Sequence, residues 1–85
     1  MTRHQVKQLS DALKKRFGGK VDFEAVNGKG RYRFAVTTKR FDDVPHLKRQ
    51  DAIWEVVDEV LSREAKLGIS LILAYAPKDL ILAKQ

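Results

Sequence analysis

The sequence predicts a two-layer α+β domain of order α-β-β-α-β, with a terminal helical turn, a three-stranded sheet and both helices on one face of that sheet. Three observations carry this. The apolar residues near the start recur every three or four positions. Two stretches between residues 21 and 37 alternate apolar with polar across a glycine-rich turn. A second helical pattern then leads into a short, almost wholly apolar run. At 85 residues the chain is the size of one small domain, and residues 1–85 are read as such.

Thr2-Arg3-His4-Gln5 has the spacing of a capping box, in which a hydroxyl and a glutamine satisfy each other's backbone donors. Val6, Leu9, Leu13 and Phe17 follow as one stripe of a helix over residues 3–17, and Gly18-Gly19 supplies the backbone freedom that ends it. Val21, Phe23 and Ala25 alternate with acids, the mark of a half-buried strand. Asn27-Gly28-Lys29-Gly30 suits a tight hairpin turn. Tyr32, Phe34 and Val36 then alternate with Arg31, Arg33 and Thr37, so the second strand turns its arginines outward.

Residues 39–45 read as a loop anchored by Phe41. Ile53, Val56, Val57, Val60, Leu61 and Leu67 recur at helical spacing, predicting one long helix from about residue 46 to 65 that stops near Gly68. Residues 69–75 read as a continuously buried strand, and Pro77 permits a last turn through Leu80 or beyond. The expected core includes Phe34, Val36, Ile53, Val57, Val60, Leu71 and Leu73.

Composition excludes several functions. The chain has no cysteine, hence no disulfide framework, thiolate metal site or thiol nucleophile. No apolar run approaches the roughly 20 residues of a membrane span, and no basic start leads into one, so a soluble cytoplasmic protein is expected. His4 and His46 stand far apart and read as surface imidazoles. Asp42-Asp43 reads as a turn rather than an acid–base pair. Gly28-Lys29-Gly30 lies between two strands, so no helix start aims at a phosphate there. Trp54 is expected to wedge against the sheet edge or the loop. Neither cofactor nor enzymatic activity is expected.

Charge is the informative feature. The chain carries +6 overall, yet residues 1–50 hold thirteen Lys/Arg against five acids, and residues 51–85 hold four against six. Such asymmetry marks part of the surface as a site for anions. Lys48 and Arg49 fall in the first turn of the long helix, where cations oppose the helix dipole. A local rule broken without structural gain points to function. Lys39, Arg40, Lys48 and Arg49 are therefore the expected anion-binding group, flanked by Arg31 and Arg33.

The stretch Arg31-Tyr-Arg-Phe-Ala-Val, then Arg40-Phe41-Asp42-Asp43 and His46-Leu47-Lys48-Arg49-Gln50-Asp51-Ala52-Ile53-Trp54, resembles the BolA-like proteins. The closing Ala74-Tyr75-Ala76-Pro77-Lys78-Asp79-Leu80 is similar to that family's final segment, and Gln50 is closer to the subgroup related to IbaG. The resemblance covers nearly the whole chain. It implies a class II KH-like fold and a small non-enzymatic module that binds DNA or RNA as a regulator. Alternatively, it implies an adaptor for a monothiol glutaredoxin or another acidic protein, in iron–sulfur or stress-related processes. The family's cluster-ligating histidines align with Gly68 and Arg31, and neither residue offers the donor lone pair that iron needs. The chain also has no Gly-x-x-Gly loop of the kind by which KH domains hold a single strand, so binding to nucleic acid would be led by phosphate contacts, with little base selectivity.

Overall fold

The computed structural model describes residues 1–26 and 30–79. Its elements are helix α1 (Arg3–Phe17), strands β1 (Lys20–Val26) and β2 (Arg31–Thr37), a single 3-10 turn (Lys39–Phe41), helix α2 (His46–Val60), the short helix α3 (Arg63–Lys66) and strand β3 (Ile69–Tyr75). The small α+β architecture expected from the sequence is the one observed.

The capping box forms as its spacing requires. Gln5 N–H donates to the Thr2 hydroxyl at 3.1 Å, and Thr2 N–H donates to the Gln5 side chain at 2.9 Å. Val6, Leu9, Leu13 and Phe17 are all buried, and Gly18 closes the helix at φ 70°, donating its N–H to the Lys14 carbonyl.

The strands order as β1-β2-β3, with β1 antiparallel and β3 parallel to the central β2. A parallel neighbour needs a crossover, and α2 with α3 supplies it. The register sets Val21, Phe23 and Ala25 opposite Val36, Phe34 and Tyr32, so all six share the helix-facing side. Residues 27–29, at the expected hairpin turn, lie outside the described residues. Gly30, at φ 72°, is described.

Two expectations fail. The long helix stops at Val60, because Leu61 leaves helical geometry for φ −114°, ψ 143°. The Ser62 hydroxyl then caps a new start by accepting from Ala65 N–H. Leu61 is buried by this bend, whereas Val60 is only partly buried. The second failure concerns β3, which is not buried on both faces. Ile72 is 2% exposed and Ala74 is buried with it, but Leu71 is 47% exposed and Leu73 only half-buried. Both helices cover the same side of the sheet, so alternate residues of β3 face outward. An irregularity between Tyr32↔Ile69 and Arg33↔Leu71 leaves Ser70 as the extra residue, so Ile69 and Ile72 both turn inward.

The core gathers Val6, Leu9 and Leu13 of α1, Phe34 and Val36 of β2, Ile53, Val56 and Val57 of α2, and Ile72 of β3. The expected turn after Pro77 is present through Asp79, and Leu80 lies outside the described residues.

Candidate anion-binding surface

Thr38 organises one end of the molecule. It is 4% exposed, its hydroxyl donates to the Phe17 carbonyl at 2.7 Å, and the same oxygen accepts from Arg40 N–H. This fastens the 3-10 turn to the last residue of α1. Phe41, the expected loop anchor, is buried with its ring centroid 5.2 Å from that of Phe17. Lys39 and Arg40 are thereby held in the open beside the basic end of α1. One surface depression is lined by Lys15, Arg16, Arg40 and the acid Glu59, with Ala12, Val56 and Val60 as its apolar floor. A second is lined by Lys20, Lys39 and Arg40. Five cations from three elements thus converge on one end.

Only part of this charge is neutralised. Arg16 pairs with Glu59 at 2.9 Å, and Lys20 lies 3.8 Å from Asp22. Among the described residues Lys15, Lys39 and Arg40 have no carboxylate within ion-pair distance. Lys14, Lys15 and Arg16 also complement the exposed carbonyls of the α1 C-terminus, so the fold itself favours cations there. Sequence reasoning missed these α1 bases because nothing local relates residue 16 to residue 40. The run Lys14-Lys15-Arg16 was the available signal.

The six residues singled out from sequence do not form one cluster. Arg31 lies at the far end of β2 from the 3-10 turn, about 20 Å away along an extended strand. Arg33 is ion-paired with Glu24 across the β1–β2 ladder. Lys48 is exposed on the first turn of α2.

Arg49 is the clearest departure. Its side chain is 5% exposed, with Nε donating to Val44 O at 2.7 Å and Nη1 donating to Ala74 O at 3.3 Å and Asp79 Oδ2 at 2.6 Å. Its guanidinium carbon also sits 5.9 Å from the centroid of the Phe41 ring. A base opposing the helix dipole is here explained by the fold, because it ties the loop, β3 and the final turn together. Asp79 answers it: the hydrogen bond from Arg49, and next that from Ala76 N–H, hold its carboxyl below the ordinary aspartate value. The surroundings of the α2 start are acidic as well as basic, since Asp43 pairs with Lys78 and Asp42 Oδ1 is buried without a partner among the described residues. Pro45 precedes the helix with no side-chain cap and no acid in the first turn.

Trp54 is half-buried and donates to Gln50 Oε1, while Gln50 Nε2 donates to Ile72 O at 2.9 Å. It therefore meets the sheet edge through Gln50. Gly68 is buried beneath the first residue: a Cβ there would lie 2.6 Å from Met1 Cβ and 3.0 Å from both Gly30 O and Met1 N. Met1 is fixed over it by its amino group, which donates to Gly30 O at 3.0 Å. A larger residue at position 68 must displace main-chain atoms. Among the described residues no three His, Cys, Asp or Glu side chains converge as metal ligands. Among the same residues no helix is long and apolar enough to cross a membrane.

Comparison with known structures places this arrangement of helices and strands. BolA1 from Arabidopsis thaliana superposes with a TM-score of 0.70 over 92% of this chain and 98% of its own, at 15% identity. The BolA domain of SufE1 from Arabidopsis thaliana superposes with a TM-score of 0.66 over 93% of this chain and 98% of its own, at 18% identity. The fold is BolA-like. No family model and no curated protein matches the sequence. Within the BolA-like fold, then, the basic end is formed by the α1 C-terminus, the start of β1 and the 3-10 turn after β2.

Proposed function

We propose that this BolA-like chain is a small non-catalytic module that binds nucleic acid through its phosphates at the basic end. The observation supporting this is the convergence of Lys15, Arg16, Lys20, Lys39 and Arg40 from three elements on one surface. Exposed cations placed this way act on phosphate oxygens rather than base edges, so affinity is led by charge and varies little with sequence.

The test is a salt titration of binding to a mixed-sequence single strand and to a duplex. Substituting Lys39 and Arg40 together by Gln should lower the salt slope by roughly two units, about one per lost phosphate contact. The pair Lys7 and Arg63, both exposed and away from this end, is the control. Equal losses from the two double variants would show diffuse charge and sink the localised site. The Lys48→Gln variant reports separately on the helix start.

A second reading, an adaptor for an acidic protein, is favoured by the apolar floor of Ala12, Val56 and Val60 beneath Lys15, Arg16 and Arg40. The neighbouring fold in SufE1 is itself a domain of a larger protein. A partnership with a monothiol glutaredoxin would rest on such surface contacts, since the resemblance sets Gly68 and Arg31 at the positions of the family's ligand histidines. A pull-down with and without nuclease separates the two readings.

A further inference from the structure

The two edges of the sheet are not treated alike. The outer edge of β3 is closed by side chains: Gln50 donates to Ile72 O, Arg49 donates to Ala74 O, and Asp79 accepts from Ala76 N–H. Such cover prevents another strand from pairing there. The outer edge of β1 has none. Tyr32 N–H donates to Gly68 O and Thr38 N–H donates to Tyr75 O, so the even-numbered residues of β2 direct their main-chain groups toward β3. The odd-numbered ones therefore face β1, where Lys20, Asp22, Glu24 and Val26 are their partners. That leaves the N–H and C=O groups of Val21, Phe23 and Ala25 pointing away from the sheet. Among the described residues no side chain bonds to them. Beside this edge Phe23 remains 50% exposed, in a depression it shares with Arg3 and Val6 of α1.

We infer that β1 pairs antiparallel with β1 of a second copy of this chain, centred on Asp22, to make a continuous six-stranded sheet. Charge selects both the occupant and the register. A strand carrying Lys20, Asp22 and Glu24 on one face is complementary to itself when run antiparallel. Centred on Asp22, each Lys20 stands opposite the second copy's Glu24, and each Val21 exchanges main-chain hydrogen bonds with the second copy's Phe23. The facing Asp22 pair is offset by Lys20 on its own strand, 3.8 Å away. Sliding the centre to Phe23 sets Asp22 against Glu24 twice, with like charges directly opposed. The covered β3 edge halts further growth, so the assembly closes as a two-fold dimer. This inference goes beyond nucleic-acid binding and does not depend on it.

The absence of cysteine makes the test direct. In this register residue 22 faces itself across the two-fold axis at a non-hydrogen-bonded position, the closer kind of cross-strand pair. Asp22→Cys should cross-link under mild oxidation roughly ten-fold faster than Glu24→Cys or the exposed control Ser70→Cys, because pairing raises the local thiol concentration. In sedimentation equilibrium of the cysteine-free chain, Glu24→Lys should weaken association, and Lys20→Glu combined with Glu24→Lys should restore it. Equal cross-linking rates for the three cysteine variants, or a charge-swapped double variant no better than the single, would overturn the pairing. Nucleic-acid affinity measured on the Glu24→Cys and Ser70→Cys variants reads the proposed function separately; Lys20 belongs to the basic end, so its variant is read by sedimentation alone.

Discussion

A guanidinium that is 5% exposed must find its partners inside the protein, and Arg49 finds a loop carbonyl, a strand carbonyl and a carboxylate. Replacing it by Met keeps the volume but strands those acceptors, and should cost about 3 kcal/mol in chemical denaturation. Asp79 gives the same contact a pH signature. Its folded pKa lies below the ordinary value, so its contribution is complete above about pH 4 and is lost as pH falls through the lower, folded value. Asp79→Asn should therefore lower stability at neutral pH and flatten the acid limb of a stability–pH curve. An unchanged acid limb would show that Asp79 does not couple to folding. Thr38 works by hydrogen bonding alone. Thr38→Val removes the bonds to Phe17 O and Arg40 N and should cost about 1–3 kcal/mol in thermal melts, while loosening the turn that presents Lys39 and Arg40. Sequence showed Arg49 as an oddity of charge but not its purpose. Its partners lie five, twenty-five and thirty residues away, and only folding brings them together.

At the scale of the element, β3 teaches the most. Its composition reads as a strand buried on both faces, yet one face is open, and the inward set is Ile72 with Ala74 rather than Leu71 with Leu73. Truncation should follow this register. Ile72→Ala should cost about 2–5 kcal/mol, and Leu71→Ala about 1 kcal/mol or less, in paired urea titrations. Comparable losses at the two sites would mean that both faces of the strand are buried, and a larger loss at Leu71 would place it the other way up. Helices were more legible, because a 3.6-residue period declares its buried side by itself: Val6, Leu9, Leu13 and Phe17 are all buried as spaced. The limit of that method is the end of α2. Leu61 and Leu67 continue the pattern past the true stop at Val60, and only the bend at Leu61 with its Ser62 cap reveals the break.

Across the whole molecule, sequence alone determined helix α1, the start of α2, the three strands, the hairpin of β1 with β2, the inward side of that hairpin and the basic bias of the first fifty residues. Each rests on spacing, turn chemistry or charge within a short span, where neighbours in sequence are neighbours in space. Tertiary structure alone decided that β2 is central, that β3 runs parallel beside it, and that one edge of the sheet is covered while the other is open. It alone brought Lys15 and Arg16 beside Arg40, sent Arg31 to the opposite end of β2, and buried Arg49. The physical reason is common to all of these. A side chain's role depends on which groups share its few ångströms of space, and for residues 16 and 40, or 49 and 79, that is settled by the crossover and the packing of helices on one sheet face rather than by any local pattern.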